Sequence, residues 1–158
     1  MLLIIWHSRT GASEAMAQAA FDGAGAGNAQ LVPAAEATPA MLLEAEGYLF
    51  VCPENLASMS GMMKEMFDRC YYPLLGKIEG RPYATIIAAG SDGEGAQRQL
   101  DRIAKGWRLK RVTEPMIVNF DAQQPEEILR AKSLSEEQAE ACRELGAALS
   151  EGIALRIF

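Results

Sequence analysis

The hydrophobic residues of this chain form short continuous runs separated by stretches with helical periodicity. Buried strands are predicted at Leu2–Trp6, Gly47–Pro53 and Tyr83–Ala89, because uninterrupted apolar runs are typical of strands covered on both faces. A weaker strand is predicted at Gln30–Pro33, and a last one, with a polar approach, at Pro115–Phe120. The pattern therefore predicts five strands.

Helical patterns lie between and after these strands. They are predicted at Glu14–Asp22, Pro39–Ala45, Met59–Cys70 and Glu94–Lys105, with a last helix that begins at the capping box Ser135–Gln138. We expect Gly23, Gly25 and Gly27 to end the first helix, Pro73 the third and Gly152 the last. Strands that alternate with helices imply a parallel, right-handedly wound sheet with helices on both faces, which is the α/β class. No linker composition divides the chain, so residues 1–158 are expected to form a single domain.

Composition and charge exclude several classes of protein. Of the 158 residues, 49% are hydrophobic and 23% charged, as in ordinary globular chains. The longest uninterrupted apolar run, Met1–Trp6, is far shorter than the ~20 residues of a membrane helix and lacks the flanks of a signal peptide, so no membrane association is expected. The net charge of −6 argues against nucleic acid as a partner. One histidine makes a histidine-based metal site unexpected, and we predict no metal.

Cysteine usage indicates the compartment. Cys52, Cys70 and Cys142 are odd in number, widely spaced and contain no C-x-x-C motif. They are therefore predicted to be reduced thiols of a cytoplasmic protein.

The loop after the first strand carries the most informative chemistry. Ser8, Thr10 and Ser13 surround Gly11 where a buried strand meets a helix N-terminus. Backbone N–H groups at such a terminus have no intrahelical partner, the helix dipole adds positive charge, and hydroxyls supply neutral donors. This arrangement of donors is suited to binding a phosphomonoester. The alternative is that these hydroxyls only cap the helix.

Other phosphate-binding folds are excluded by this loop. A P-loop requires Gly-Lys-Ser/Thr, whereas Gly76-Lys77 is followed by Ile78. The dinucleotide motif G-x-G-x-x-G is absent between the first strand and its helix. A receiver domain would place clustered acids at the end of the first strand, where Trp6 and His7 stand.

Three loops together resemble a known superfamily. The segment from Trp6 to Ser13 resembles the phosphate loop of the flavodoxin-like superfamily. Cys52–Lys64 resembles its second flavin loop and the following helix, and Ala89–Gly95 is similar to the third loop. The alternatives are a strand–helix turn with Ser58 as N-cap in the second loop and a plain capping box, Ser91 with Glu94, in the third. The branch that the chain resembles is the NAD(P)H-dependent FMN oxidoreductases, including quinone reductases of the tryptophan-repressor-binding-protein type.

The resemblance implies a fold and a set of cofactor-binding residues. The fold would be a flavodoxin-like three-layer sandwich around a five-stranded parallel sheet in the order 2-1-3-4-5. The FMN-binding residues would be His7, Ser8, Arg9, Thr10, Gly11, Ala12, Ser13, Pro53, Glu54, Asn55, Leu56, Ala57, Gly90, Ser91, Asp92 and Gly93. No catalytic side chain is expected, because the flavin itself carries the redox chemistry.

The function implied is transfer of a hydride from NAD(P)H to FMN and of electrons to a quinone, a flavin or a similar small-molecule acceptor or redox partner. Two alternatives remain open: an electron carrier of the flavodoxin type without a nicotinamide site, and a non-enzymatic module that binds another phosphorylated ligand. Loops 54–57 and 90–95 contain no aromatic residue to cover the flavin, which favours the reductase. Trp6, Tyr71, Tyr72 or a partner subunit could still supply one.

Self-association is a further expectation. Tyr71, Tyr72, Leu74 and Leu75 cluster around Pro73, and aromatic residues are enriched at interfaces. The alternative is that these four side chains belong to the core of the same chain.

Overall fold

A parallel sheet forms the centre of the structure, a computed structural model that describes residues 1–158. Its strands are β1 Leu2–Trp6, β2 Ala29–Pro33, β3 Gly47–Asn55, β4 Ser58–Met59, β5 Pro82–Ala89, β6 Lys110–Arg111 and β7 Met116–Asn119. The order is β2-β1-β3-β5-β6, with β7 also paired to β5 and β4 paired to β3. The flavodoxin-like order predicted from the sequence is therefore confirmed, with the fifth strand divided into β6 and β7.

The division of the fifth strand has a local cause. Both pieces pair in parallel with β5, Pro82 opposite Lys110 and Ile86 opposite Met116. The chain advances six positions between β6 and β7 opposite four on β5, so two extra residues bulge out. Pro115 lies in this bulge and has no N–H for the ladder, which explains why pairing is interrupted there.

The helices cover both faces of the sheet. They are α1 Ala12–Ala24, α2 Pro39–Glu44, α3 Gly61–Leu74, α4 Glu94–Gly106, α5 Pro125–Leu129 and α6 Glu136–Ala154. Leu3 and Ile5 of β1 pack into one core cluster with α3 and α4, whereas Leu2 and Ile4 pack into a second cluster with α1 and α6. Side chains alternate between the two faces of a strand, and both faces are buried here. This is why β1 is apolar at successive positions.

Helices α1 and α6 approach each other to backbone contact. A Cβ on Gly146 would lie 1.9 Å from the Ala20 carbonyl oxygen, and one on Gly23 would lie 2.0 Å from that of Arg143. Gly23 is thus a contact residue inside α1 and, of the three glycines expected to end this helix, is not the one that does so. Gly25, in the left-handed region at φ 82°, is the C-cap.

Three further helix boundaries differ from the prediction. Met59 lies in β4, not in α3, because the chain turns back on β3 before the helix begins. Pro73 lies within the last turn of α3, and Leu75 then closes the end by donating to the Tyr72 carbonyl. Gly152 lies inside α6, where a Cβ would come within 2.2 Å of the Phe158 ring. A side chain there would displace the C-terminal phenyl ring, so Gly152 serves packing and not termination.

Two other expectations concern exposed and buried surfaces. The cluster around Pro73 is divided: Leu74 is buried and Tyr71 stacks on Trp107 at 5.7 Å, whereas Tyr72 and Leu75 are exposed. The three cysteines are free and buried. None of the helices has both the length and the apolar composition that crossing a bilayer requires.

Candidate functional site

A cleft of about 470 Å³, including its open mouth, lies at the carboxyl edge of the sheet. Ligands of open α/β sheets bind at this edge, beyond the strand ends. The loop after β1, the carboxyl end of β3 and the residue that follows β5 contribute to it, and the sequence predicted a site at the ends of these three strands. The predicted residues that line it are Ser8, Arg9, Thr10, Ala12, Ser13, Pro53, Glu54, Asn55 and Gly90.

A hydrogen bond between Gly11 and Ser8 closes the first loop, which follows β1. Gly11, at φ 99°, donates its N–H to Ser8 Oγ over 3.0 Å and is the N-cap of α1. Only glycine adopts this left-handed conformation without strain. The first-turn N–H groups of α1 therefore face the cleft edge with no side-chain cap.

Ser13 provides a test of whether a phosphate fits this end of the cleft. Its side chain is 1% exposed, lines the cleft, and its Oγ has no hydrogen-bond partner. An unsatisfied buried hydroxyl costs about 1–3 kcal/mol, so native structures rarely keep one without a reason. A phosphate oxygen at the start of α1 would be a suitable acceptor. The residues present thus fit the phosphate of FMN.

The second loop is a tight hairpin between β3 and β4. Glu54 pairs with Met59 and Asn55 with Ser58, so Leu56 and Ala57 form the two-residue turn. Their φ angles are 52° and 61°, which are the angles of a type I′ turn and strained for residues other than glycine. Leu56 is completely exposed at the tip. Neither turn residue lines the cleft. Ser58 is not the cap of α3, since Ser60 occupies that position.

Glu54 lines the cleft and has a second role that the sequence did not predict. Its carboxylate accepts hydrogen bonds from the backbone N–H of Gly93 over 2.9 Å and of Ala96 over 3.1 Å. It therefore caps the N-terminus of α4 and fastens the second loop to the third. Gly93 is the N-cap at φ 94°, and the capping box proposed for Ser91 does not form. Ser91, Asp92 and Gly93 do not line the cleft.

His7 also turns away from the cleft. Its Nδ1 lies 2.9 Å from Oγ of the fully buried Ser60, in hydrogen-bond contact. This contact joins the end of β1 to the start of α3. Burial lowers the pKa of the imidazole below its ordinary value of about 6.5, so the ring is kept neutral. His7 therefore links the loop after β1 to the loop before α3.

Sequence reasoning missed the wall formed by the connection between β7 and α6. Phe120, Ala122, Ile128 and Lys132 all line the cleft, together with Ala88 and Ala89 at the end of β5. Phe120 could have been found, because it is the last residue of the fifth predicted strand and so lies at the same edge. Lys132 had no signal, since it lies in a polar stretch with no motif.

Comparison with known proteins agrees with this geometry. Residues 12–123 match the model of the NADPH-dependent FMN reductase family. A curated protein of Aquifex aeolicus (strain VF5) named flavodoxin is 29% identical over 162 residues, which covers 98% of this chain and 87% of that protein.

Two solved structures show the same fold. A flavodoxin from the domain Archaea has a TM-score of 0.78 at 17% identity, covering 97% of this chain and 98% of the other. A flavodoxin, WrbA-like protein from Agrobacterium tumefaciens has a TM-score of 0.74 at 16% identity, covering 98% and 97%. Because the family match extends over well more than half of the chain, this protein belongs to the NADPH-dependent FMN reductase family and is an FMN oxidoreductase of flavodoxin-like fold.

Proposed function

We propose that the cleft binds FMN and that the protein transfers a hydride from NAD(P)H to it and electrons onward to a quinone, a flavin or a similar acceptor. The observation that carries this proposal is the buried, unpartnered Ser13 Oγ at the start of α1. When bound, FMN would supply the redox chemistry, and the protein would supply binding, orientation and exclusion of water.

The residues of the chain divide into two groups in this role. The hydroxyls of Thr10 and Ser13, with the first-turn N–H groups of α1, would hold the phosphate. Pro53, Asn55 and Gly90 lie at the ends of β3 and β5 and would border the ring system. The predicted positions that do not line the cleft would contribute by shaping the loops to which they belong. They are His7, Gly11, Leu56, Ala57, Ser91, Asp92 and Gly93. We assign no acid or base.

The open flank of the cleft supports a reductase. Tyr71 is held in its stack on Trp107, and Tyr72 is exposed on α3, so neither lines the cleft. Phe120 is the one aromatic residue that does. A nicotinamide could therefore stack on a flavin face that loops 54–57 and 90–95 leave uncovered. The electron carrier is the second candidate, favoured by the name of the 29% identical relative.

Ser13→Ala tests the phosphate assignment. Because the wild-type hydroxyl has no partner, its removal should leave the free energy of unfolding of the apoprotein unchanged or slightly higher. Loss of a charge-assisted hydrogen bond should weaken FMN binding by roughly tenfold or more, at about 1.4 kcal/mol per decade. Thr10→Ala should behave similarly. Fluorescence titration with FMN and with riboflavin measures the binding affinity of both variants.

The control for this test is Ser133→Ala, at an exposed serine outside the cleft. Equal affinity for riboflavin and FMN in the wild type, or a Ser13→Ala protein that is less stable but binds FMN normally, would refute the phosphate site. Anaerobic mixing of the FMN-loaded protein with NADPH or NADH separates the two functions. Rapid bleaching of the flavin absorbance supports the reductase, and slow bleaching by both supports the carrier.

A further inference from the structure

The connection between β7 and α6 is fastened to two loops of the cleft. We call residues Phe120–Lys132 the strap. At one end, Phe120 donates its N–H to the Ala89 carbonyl over 2.8 Å and Ala122 donates to Gly90 over 2.9 Å. At the other end, the Lys132 N–H donates to the Thr10 carbonyl over 2.8 Å. The strap thus joins the loop after β5 to the phosphate loop across the carboxyl edge.

Hydrophobic burial does not fix the middle of the strap. From Gln123 to Ala131, no residue is buried. Two of its apolar side chains, Ile128 and Leu129, are 43% and 59% exposed. Burial of apolar surface is the usual source of loop stability, so another interaction must hold this segment in place.

The capping box of Gln124 and Glu127 holds the start of α5, and the Lys132 ammonium group holds its end. Its Nζ donates to the carbonyls of Glu127 over 2.6 Å, Ile128 over 3.1 Å and Arg130 over 2.7 Å. These carbonyls lie at the C-terminal end of α5, where the helix leaves them without partners and a cation is favourable. An ammonium has three N–H donors, and all three are used. None is left to bind a phosphate directly.

We infer that Lys132 is a positioning residue for the cofactor, which latches the strap so that Ile128 forms a wall of the FMN site. This inference rests on the proposed function. Lys132 acts through the strap and does not touch the phosphate. Loss of a wall that contacts a bound ligand raises its dissociation rate more than it changes its association rate.

The test compares Lys132→Met with Lys77→Met in the full-length protein. Both variants lose an ammonium and keep the apolar stem, and Lys77 is exposed in the loop before β5, at the opposite edge of the sheet. We expect FMN to dissociate from Lys132→Met at least tenfold faster, with an association rate within twofold of wild type, as measured by stopped-flow fluorescence. Hydrogen exchange of residues 123–131 should rise in this variant alone, and Lys132→Arg should restore both properties in part.

A second pair of variants protects the test from a failure of Lys132→Met to fold. Ile128→Ala removes a side chain that lines the cleft, whereas Leu129→Ala removes an exposed neighbour on the same helix that does not. We expect faster FMN release from Ile128→Ala and wild-type release from Leu129→Ala.

Different results overturn different statements. Unchanged FMN release in Lys132→Met and Ile128→Ala would show that the strap is no part of the site. A slower, salt-dependent association in Lys132→Met would show that its charge attracts the phosphate, which also contradicts a latch. If wild type and Lys77→Met bind no FMN, the proposed function fails, and the exchange of residues 123–131 still reports whether Lys132 holds the strap.

Discussion

Replacing Glu54 should destabilise the protein far more than replacing another acid beside the same helix. The Glu54 carboxylate receives two backbone N–H bonds from the start of α4, across 39 and 42 positions of sequence. Glu94 is also in the first turn of α4 but is exposed and makes no such contact. The pair Glu54→Ala and Glu94→Ala therefore separates capping from the general effect of negative charge at a helix N-terminus.

The magnitude follows from the two bonds. A hydrogen bond to a charged group contributes about 1.5–3 kcal/mol, and a carboxylate near a helix N-terminus contributes roughly 0.3–1 kcal/mol. Glu54 is only half-buried, so water can replace part of this, and we expect Glu54→Ala to cost about 2–3 kcal/mol. Glu54→Gln keeps one acceptor oxygen and should cost about half as much. Glu94→Ala loses only the charge effect, which the higher helix propensity of alanine offsets.

Urea unfolding measures these differences. We expect the urea midpoint to be lowest for Glu54→Ala, intermediate for Glu54→Gln and highest for wild type, with an unchanged m value. The Tm of Glu54→Ala should be roughly 5–10 °C below that of wild type. FMN affinity should fall in parallel, because Glu54 joins the two loops that would border the ring in the proposed site. If Glu54→Ala is no less stable than Glu94→Ala, the capping contact does not hold the two loops together.

Three further predictions concern other parts of the molecule. Burial lowers the pKa of His7, so the folded state binds this proton less tightly than the unfolded chain. The contribution of His7 to the free energy of unfolding should be complete above about pH 6.5 and fall below it, and His7→Asn should flatten this pH dependence in urea titrations. Burial raises the pKa of Cys52 to about 12 and of Cys142 to about 11, so neither thiol should react with an aromatic disulfide reagent near pH 8 until the protein is unfolded. Gly146→Ala should lower the free energy of unfolding by about 1–3 kcal/mol, because overlap with the Ala20 carbonyl outweighs the gain of ~1 kcal/mol in helix propensity.

The fold could be predicted because each buried element leaves its own pattern in the sequence. Residues of β1 and β5 are apolar at successive positions because two layers of helices cover them, and this pattern needs no partner to be recognised. The capping box at Ser135 was likewise local, and both of its hydrogen bonds form. Boundaries failed where another part of the chain decided them. Gly23 and Gly152 looked like helix ends, but each makes room for a distant group.

In the candidate site, too, features set by neighbouring residues could be predicted, and features set by distant residues could not. The loop after β1, which lines the cleft, could be singled out because its hydroxyls and Gly11 lie within six residues. The hairpin at Leu56 and Ala57 was missed, because neither residue is typical of a turn with positive φ. The strap was missed because its latch depends on three carbonyls that no side-chain pattern reveals.

Charged side chains were the least predictable part of the cleft, for a physical reason. An acid, Glu54, and a cation, Lys132, both line the cleft, where each could act on a bound flavin. The structure instead shows the acid at the N-terminus of α4 and the base at the C-terminal carbonyls of α5, the ends that helix dipoles favour for these signs. Both charges are thereby largely compensated within the protein. Arg9 remains as the exposed cation that lines the cleft, and in the proposed FMN site the hydroxyls of the first loop and the backbone N–H groups of α1 would supply the other contacts to the phosphate.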